Sequence, residues 1–581
     1  MPAKTLLIKR GNKRAHPAQR RQFPYYPCIA PKLLAAPVPI TTARQCMGRL
    51  HTSRIRLMTG NFNLAWGVYC RAADSADAPA VVCKDVTLSY GELAKRASRL
   101  AACLAAQCGD RQGEPLRVGI LASRSAGACV AALGACWAGA TYVPFGLKQP
   151  EQRLIELFAQ CRLSAIVTDD EGLKLLGERL LAACPPVIVH AGEAAVPATG
   201  QRNIIELATL PAATVQEPAP MAANDIAYII FTSGSTGTPK GVMVSAGAFR
   251  HYLAAVNATL GMNASDRVLG VSELSFDVSA HNMFATWEAG AALHVLPASA
   301  TMNAVKFARN AGLTVWNSAP SLAGMLRQVR TLAPGSLPSL RVTAFGGEPL
   351  PAATVDVWRQ AAPGSAIFNV YGPTEATVGC LAQEIGEAAP VTPGRDVMAI
   401  GMPFPGSEAR IADRDGRPLA DGLPGELLIA GQQLAAGYLD APELTAARFP
   451  VIEGKRWYRT GDLALRDASG CFHCLGRIDH QVKILGHRIE LDEVDVHLRH
   501  ASGVDLVSAV AWPLVHGAAH GIVAFVGAPA IDHDGIISAL QARMPTYMLP
   551  RRVIALQSMP LNASGKVDRH ALRQLLAGEA Q

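Results

Sequence analysis

The chain has 581 residues, of which 50% are hydrophobic and 17% are charged. That length exceeds one simple domain, and the hydrophobic share can bury large cores, so collagen-like, low-complexity and wholly disordered classes are excluded. The net charge of +8 arises from residues 1–58, which hold 12 Lys and Arg and no acidic residue; the remainder has 42 basic and 46 acidic residues, which does not indicate a nucleic-acid-binding body.

The basic segment at residues 1–57 is rich in arginine and interrupted by prolines. This composition predicts a disordered tail, or a translated region upstream of a start near Met58. An organellar targeting segment has the same charge pattern, so that alternative stays open.

Thirteen cysteines are scattered without a framework, which favours a reduced, cytoplasmic protein. Residues 125–147 are uncharged and long enough to span a membrane. They are mostly Ala and Gly and include Pro144, so the sequence predicts a buried helix followed by a strand and no membrane span.

The folded part is predicted to begin near Met58. Ser89 and Glu92 form a capping box, and apolar residues at helical spacing follow. Helices then alternate with short apolar runs, which predicts an α/β fold with a mostly parallel sheet. The predicted strands are 118–121, 165–168, 187–190, 227–231, 315–317, 342–345 and 367–371.

The composition and the predicted secondary structure change twice along the chain. From about Gly394, frequent Gly and Pro separate short strands, which predicts a β-rich subdomain. Residues 479–581 predict a small, mobile α+β domain, with a helix at 490–499, strands at 506–511 and 521–526, and a last strand near Val553. The expected division is a tail (1–57), a large domain (58–478) and a small C-terminal domain (479–581).

Three predicted strands run directly into polar or glycine-rich segments. They end at Phe231, Phe345 and Tyr371. In open α/β sheets the ligand binds beyond the carboxyl ends of the strands, so these three ends are expected to share one site.

The segment FTSGSTGTPKG, residues 231–241, carries the strongest chemical signal. Small residues let backbone N–H groups approach an anion, and the hydroxyls and Lys240 add donors and charge. It is not a Walker loop, because Lys240 is followed by Gly241. A surface loop is disfavoured, since the segment joins two apolar runs.

With this loop, six further motifs resemble the adenylate-forming superfamily over residues 80–572, and most closely its stand-alone nonribosomal-peptide adenylation domains and D-alanine–carrier-protein ligases. The motifs occur in the family's order and spacing. They are LSYGEL (88–93), AGATYVP (138–144), YGPTE (371–375), YRTGD (458–462), GRID with QVKILGHRIE (476–479 and 481–490) and LNASGKVDR (561–569).

The resemblance implies a nucleotide site for ATP. Thr232, Lys240, Glu375 and Lys566 are the implied catalytic residues: Lys566 reaches the carboxylate and α-phosphate, and Glu375 binds Mg²⁺. The β- and γ-phosphates are expected at Thr232, Ser233, Gly234, Ser235, Thr236, Gly237 and Lys240. Adenine, ribose and a further phosphate contact are expected at Gly347, Glu348, Pro349, Tyr371, Gly372, Thr374, Asp462 and Arg477.

The resemblance also implies that the small domain rotates about Asp479 and that Gly486 lines a thiol tunnel, where the missing side chain lets a pantetheine arm pass. Asp277 matches the partner of a substrate ammonium group. The surrounding side-chain pocket is expected to contain Val278, His281, Asn317, Thr343, Phe345, Val370, Val378 and Gly379. Phe345 would shorten this pocket, which favours a small or small polar amino acid.

Cys471 and Cys474 form a C-x-x-C pair that could be half of a metal or redox site. No second pair follows, and the family resemblance places this segment in a strand pair. The cysteines are therefore interpreted as strand residues.

The predicted function is adenylation of an amino acid by ATP, followed by transfer to the phosphopantetheine thiol of a separate carrier protein or to coenzyme A. A separate acceptor is expected because only 15 residues follow Lys566. The enzymatic alternative is an acyl- or aryl-CoA ligase, which would not need Asp277. A non-enzymatic pseudo-ligase is disfavoured, because Glu375, Asp462 and Lys566 are all present.

A chain that begins at Met58 should match the full-length chain in melting temperature and in amino-acid-dependent pyrophosphate exchange. The basic segment has no apolar periodicity and no counter-charge, so it should add nothing to a core. A large loss of either property on truncation would contradict this expectation.

Overall fold

The structure is a computed structural model. It describes residues 61–579, except 85, 110–112, 197–202, 212–213, 235–236, 516–517 and 563–566. The basic segment, Ser235, Thr236 and Lys566 therefore lie outside the described residues.

The described helices are distributed along the whole described part of the chain. In chain order they are α1 (Trp66–Asp74), α2 (Tyr90–Cys108), α3 (Ala126–Trp137), α4 (Glu151–Cys161), α5 (Asp170–Leu173), α6 (Glu178–Ala183), α7 (Ala246–Leu260), α8 (Asp277–Ala280), α9 (Thr286–Ala289), α10 (Ala304–Ala311), α11 (Pro320–Gln328), α12 (Ala352–Ala361), α13 (Pro442–Arg448), α14 (Leu491–Ser502), α15 (His533–Gln541) and α16 (Arg569–Glu579).

The described strands are mostly short. In chain order they are β1 (Pro79–Cys83), β2 (Val86–Ser89), β3 (Arg117–Leu121), β4 (Thr141–Phe145), β5 (Ala165–Thr168), β6 (Val187–His190), β7 (Ile204–Glu206), β8 (Ile226–Thr232), β9 (Lys240–Ser245), β10 (Arg267–Gly270), β11 (Ala292–Val295), β12 (Val315–Ser318), β13 (Val342–Gly346), β14 (Ala366–Tyr371), β15 (Leu381–Glu384), β16 (Met402–Pro403), β17 (Ser407–Ala412), β18 (Gly425–Gly431), β19 (Gly437–Tyr438), β20 (Val451–Ile452), β21 (Lys455–Arg466), β22 (Phe472–Arg477), β23 (Gln481–Ile484), β24 (His487–Glu490), β25 (Val507–Ala511), β26 (Leu514–Val515), β27 (Ala518–Ala519), β28 (Ile522–Val526) and β29 (Arg552–Ala555).

Two large sheets dominate the fold. One has nine strands in the order β16-β15-β14-β13-β12-β10-β11-β1-β2, and the other has eight in the order β19-β9-β8-β4-β3-β5-β6-β7. Their central strands run parallel, and antiparallel strands lie at both edges of the first sheet and at the β19–β9 edge of the second, whereas β7 pairs parallel with β6. The predicted α/β class is therefore confirmed, and the largest core packs α2, α3 and α7 with residues of both sheets.

The seven predicted strands are all present, each within one residue of its expected bounds. The Ser89 half of the predicted capping box is present, because the Ser89 hydroxyl accepts a hydrogen bond from the Glu92 backbone N–H at 3.2 Å and α2 begins at Tyr90. The Glu92 carboxylate accepts from Arg96 Nε at 3.1 Å. The uncharged stretch forms α3 and then β4, and both are buried. Among the described residues, no helix is long and apolar enough to cross a membrane.

The later part of the chain forms two further layers. Strands β17, β18, β21, β20 and β22 make a five-stranded antiparallel sheet in the predicted β-rich region. The C-terminal segment, defined here as residues 479–579, contains the hairpin β23–β24, the sheet β25-β28-β29 and α14 to α16. It has its own hydrophobic core, built from residues such as Ile489, Val494 and Phe525.

Candidate active site

A cavity of about 490 Å³ lies where β8, β13 and β14 end. All three polar strand ends line it, and the hairpin β23–β24 closes one side. The predicted site residues that line it are Thr232, Ser233, Asp277, Val278, His281, Asn317, Phe345, Gly347, Val370, Tyr371, Gly372, Thr374, Val378, Asp462, Arg477 and Gly486.

The other described site residues are not among those that line the cavity. They are Gly234, Gly237, Lys240, Thr343, Glu348, Pro349, Glu375, Gly379 and Asp479. Glu348 accepts hydrogen bonds from the backbone N–H groups of Ser321 and Gly486. At Gly379 a Cβ atom would lie 2.7 Å from Val370 Cγ1, so no side chain fits there without a shift.

The glycine-rich loop after β8 is held by polar contacts with the C-terminal segment. The Ser233 hydroxyl donates to the Arg488 carbonyl at 2.8 Å and accepts from the Glu490 N–H at 3.2 Å. At Gly234 a Cβ atom would lie 1.9 Å from the Thr238 carbonyl oxygen, so the tight turn requires glycine. The Gly234 N–H donates to Glu493 Oε2 at 3.2 Å, so a carboxylate occupies an anion position of this loop.

Glu375, the predicted magnesium ligand, is fully buried. Its Oε1 accepts from the Tyr438 hydroxyl at 2.9 Å, and its Oε2 lies 2.8 Å from Arg488 Nη1. Burial alone would raise the pKa of Glu375, but the positive charges of Arg488 and Lys240 lower it to about 2. The carboxylate is therefore ionised, and both of its oxygens are engaged.

Two further ion pairs join the C-terminal segment to the rest of the chain. Lys240 Nζ lies 3.2 Å from Glu490 Oε1, and Arg153 Nη2 lies 2.9 Å from Glu493 Oε1. Glu493 is fully buried, and burial raises its pKa although Arg153 opposes that shift. Arg153, Arg488, Glu490 and Glu493 were not singled out from the sequence, because nothing in their local pattern names their partners.

A polar group lies at the start of the C-terminal segment. The Tyr371 hydroxyl donates to Asp462, and Arg477 Nη1 lies 3.0 Å from Asp462 Oδ1. Arg477 Nη2 also pairs with Asp479 Oδ2 at 2.6 Å. The predicted ribose partners and the predicted hinge residue therefore form one connected network.

Asp277 lies at the N-terminus of the short helix α8 and lines the cavity. It is 9% exposed and forms no ion pair with any residue that the structure describes. Burial raises the pKa of Asp277, although a hydrogen bond with Thr374 and the charge of Lys483 oppose that shift. A cavity-facing carboxylate without a cationic partner is a binding position for a cation.

Of the two expected pocket positions on β13, Phe345 lines the cavity and Thr343 does not. Thr343 points away from the cavity, where its hydroxyl bonds to Ser365 at 2.8 Å and accepts from Trp358 Nε1 at 2.9 Å. The Phe345 ring lies on that same face, edge-on to Trp358 at 5.0 Å. Side chains alternate along a strand, so Ala344 and Gly346 face the cavity together with the backbone of Phe345, whose ring packs on the other side of the strand and does not shorten the pocket.

His281 opens a π-helical turn, His281–Ala285, directly after α8. Turns of this kind are often found at functional sites. Its Nδ1 lies 2.8 Å from the Tyr252 hydroxyl, and its Nε2 lies 3.1 Å from Asn317 Nδ2. Tyr252 was not predicted from the sequence. It lies on α7 outside the family motifs, and only the packing of α7 brings it to His281.

Of the two cysteines in the C-x-x-C pair, only Cys471 lies in a group of possible metal ligands. Asp467, Cys471 and His473 have side-chain atoms within 4.8 Å of one another. Asp467 accepts hydrogen bonds from the Cys471 N–H at 2.9 Å and from His473 Nε2 at 3.1 Å, so this group joins the turn before β22 to the start of that strand. Cys474 lies in β22 as expected, whereas Cys471 immediately precedes it. Cys474 is not part of the group.

Comparison with known proteins identifies the class. Residues 69–439 match the family described as AMP-binding enzyme. Novobiocin biosynthesis protein H of Streptomyces niveus is 34% identical over 506 residues, which cover 85% of this chain and 79% of that protein. The crystal structure of the Vibrio cholerae adenylation domain AlmE in complex with glycyl-adenosine-5'-phosphate has a TM-score of 0.79 and 30% identity, and the match covers 89% of this chain and 98% of AlmE.

The chain belongs to the AMP-binding enzyme family. More narrowly, it is an adenylate-forming enzyme of the nonribosomal-peptide-synthetase adenylation type. Phenyloxazoline synthase MbtB of Mycobacterium sp. (strain MCS) is 33% identical over 529 residues, 87% of this chain, but the match spans only 41% of MbtB.

Replacing Arg153 by Met should release the C-terminal segment from the glycine-rich loop. The change leaves the buried Glu493 carboxylate without a cation, at a cost of about 3 kcal/mol, or about 10² in the opening equilibrium. Hydrogen exchange at the Gly234 and Glu490 amides should accelerate accordingly. The matched control, Arg179→Met, removes an exposed partner of Glu151 and should leave these amides unchanged. Equal exchange in Arg153→Met and wild type would show that this pair does not hold the segment.

Proposed function

We propose that the enzyme adenylates an amino acid with ATP and then transfers the aminoacyl group to the phosphopantetheine thiol of a separate carrier protein, with coenzyme A as the other thiol source. The observation that carries this proposal is Asp277, a buried carboxylate that faces the cavity without a cationic partner among the described residues. The α-ammonium of an amino acid supplies that partner. AlmE, whose structure holds glycyl-adenosine-5'-phosphate, is consistent with an aminoacyl adenylate as the intermediate.

In the first half-reaction, an oxygen of the substrate carboxylate attacks the α-phosphorus of ATP. The bond from that phosphorus to the bridging oxygen of pyrophosphate breaks, and the aminoacyl adenylate remains. Both reactants are anionic, so the catalytic demand is positioning and charge neutralisation. We assign backbone N–H groups of the glycine-rich loop and Lys240 to the β- and γ-phosphates, and Lys566 to the carboxylate and the α-phosphate.

Glu375 fits the assigned role of magnesium ligand. It is an oxygen donor, and its pKa of about 2 keeps it ionised, which suits a hard cation. Bound there, Mg²⁺ would neutralise phosphate charge. Arg488 holds Glu375 Oε2 in the described arrangement, so this guanidinium has to withdraw before the carboxylate oxygen is available.

In the second half-reaction, a thiolate attacks the carbonyl carbon of the adenylate, the bond to the phosphate oxygen breaks, and AMP leaves. The described arrangement suits this step. Glu493 holds the Gly234 N–H and Arg488 neutralises Glu375, so the loop is already supplied with protein charges in place of a triphosphate. Gly486 lines the cavity beside Ala319, where a thiol arm would enter.

We further propose that residues 58–478 and 479–581 move as two domains about Asp479. Withdrawal of the C-terminal segment frees Glu375, Lys240 and the loop for ATP. Its return places Gly486 in the cavity for the thiol. This alternation allows Glu375, Lys240 and the glycine-rich loop to bind ATP in the first half-reaction and to pair with the C-terminal segment in the second.

Wild-type enzyme should adenylate its amino acid at least about 10²-fold more efficiently than the matching des-amino acid in pyrophosphate exchange, because the latter leaves Asp277 unpaired. Asp277→Ala removes the attraction between the carboxylate and the substrate ammonium group, and it also removes the cost of leaving that carboxylate unpaired. The variant should lose activity on the amino acid, and the ratio between the two acids should narrow sharply. If wild type uses the des-amino acid equally well, Asp277 does not bind the ammonium group and an acyl- or aryl-CoA ligase becomes the better description.

Lys566→Ala should reduce amino-acid-dependent pyrophosphate exchange by about 10²–10³, by analogy with removal of a single charge-stabilising donor. The same variant should still transfer a pre-formed aminoacyl adenylate to a thiol, since Lys566 is assigned to the first half-reaction alone. Single-turnover measurement of each half-reaction separates the two effects. Equal damage to both would refute this division of roles.

A further inference from the structure

The side-chain end of the cavity is deeper than the sequence predicted. Tyr252, Val256 and Leu260 all line it. These residues are four apart on α7 and therefore lie on one face of the helix. At 1.5 Å per residue, the lining runs for about 12 Å along the helix.

The opposite wall leaves room for a long side chain. Asn317 on β12 lies beside Ala344 on β13, and both line the cavity. Gly346 continues this wall towards the nucleotide side of the site. Because Ala344 and Gly346 are small and the Phe345 ring packs on the other face against Trp358, no bulky side chain of β13 closes the space.

This part of the cavity is electrically neutral. We define this end by the lining residues on α7, on the two turns that follow Asp277, on β12 to β14 and at 378: Tyr252, Val256, Leu260, Val278, His281, Asn317, Ala344, Val370 and Val378. None of them carries an acidic, lysine or arginine side chain. His281 is also uncharged at neutral pH, because burial lowers its pKa to about 4. A charged substrate side chain would therefore be desolvated without a counter-charge.

Among these residues, the polar side chains form a row of Tyr252, His281 and Asn317. Asn317 Nδ2 donates to His281 Nε2, so the neutral ring carries its proton on Nδ1 and donates it to the Tyr252 oxygen. The reversed assignment, with the amide and the tautomer both exchanged, uses the same two contacts. In either case the row is built from neutral groups and supplies no charge.

We infer that the substrate is an amino acid with a long uncharged side chain, which passes the Tyr252–His281–Asn317 row and ends in the apolar space between Val256, Leu260 and Ala344. This inference rests on the proposed function, since it assumes that the ammonium group binds Asp277. It replaces the sequence-based expectation of a small residue. Glycine, alanine and charged amino acids are poor substrates, because they leave the apolar end empty or bring an unpaired charge into it.

The test is pyrophosphate exchange with full-length enzyme across the common L- and D-amino acids and their des-amino analogues. At least one of leucine, methionine, phenylalanine, tyrosine or tryptophan should exceed glycine and alanine by about 10² or more, the effect of several buried methylene groups. Lysine, arginine, aspartate and glutamate should fall at or below the level of alanine.

Two variants probe the pocket itself, and each is scored as a ratio between substrates so that partial loss of folded enzyme cancels. Ala344→Leu fills the deep end and should lower the preference for the long substrate over alanine by at least about tenfold. Val256→Ala enlarges it and should shift preference towards longer side chains by a similar factor. The control Ala182→Leu, an exposed position on α6, should leave the ratio unchanged.

The outcomes separate this inference from the proposed function. Exchange with glycine, alanine or charged amino acids alone would overturn the inference and leave amino-acid adenylation intact. An unchanged ratio in both pocket variants would overturn it as well. Exchange with des-amino acids at the level of amino acids would instead overturn the proposed function, and with it the assumption about Asp277.

Discussion

Three buried ion pairs hold the C-terminal segment in the site, and the described arrangement of the cavity depends on them. Arg488 pairs with Glu375, Lys240 with Glu490 and Arg153 with Glu493, and in each pair both side chains are largely buried. An intact buried ion pair adds little to the free energy of folding, because burying its charges costs about as much as their attraction gains. Removing one partner is costly, because it leaves an unpaired charge buried. Such contacts favour two discrete states, fully docked or fully withdrawn, over a partly open one.

The charges of these ion pairs also indicate which ligand groups could take the place of the C-terminal segment. The Gly234 N–H and Lys240 meet carboxylates of the C-terminal segment, and Glu375 meets a guanidinium. Under the proposed function, a triphosphate with a divalent cation would bring charges of the same signs to these groups. The C-terminal segment and the nucleotide phosphates would then be alternative partners for one set of groups, which gives the proposed alternation a physical basis in charge rather than in flexibility alone.

The cavity combines two environments of opposite character. Its nucleotide side is lined by ionised groups such as Asp462, Arg477 and Lys483, whereas its side-chain end is neutral and largely apolar. Asp277 lies at the boundary, and its burial without an ion-pair partner among the described residues makes it the point at which a substrate charge is required. Under the proposed function, the ammonium group and the substrate side chain are recognised by different residues, so the two assignments can be tested separately.

Local sequence determined the elements. Apolar runs of four to seven residues predicted the parallel strands, the Ser89 box predicted the start of α2, and the small residues after Phe231 predicted a tight loop that a Cβ atom at Gly234 would obstruct. These features depend on backbone conformation and on period-two or helical spacing, which neighbouring residues largely decide. The shared site at three strand ends followed from the general geometry of open sheets.

Tertiary structure alone decided which faces and partners are used. On β13 the side chains of Thr343 and Phe345 lie on one face and Ala344 and Gly346 lie on the cavity face, because alternate side chains point to opposite sides of a sheet. The depth of the pocket required α7 and β13 to line the same cavity, and the ion pairs join residues 113 to 340 positions apart. Contacts of that separation arise from the packing of whole elements, so no local pattern in the sequence specifies them.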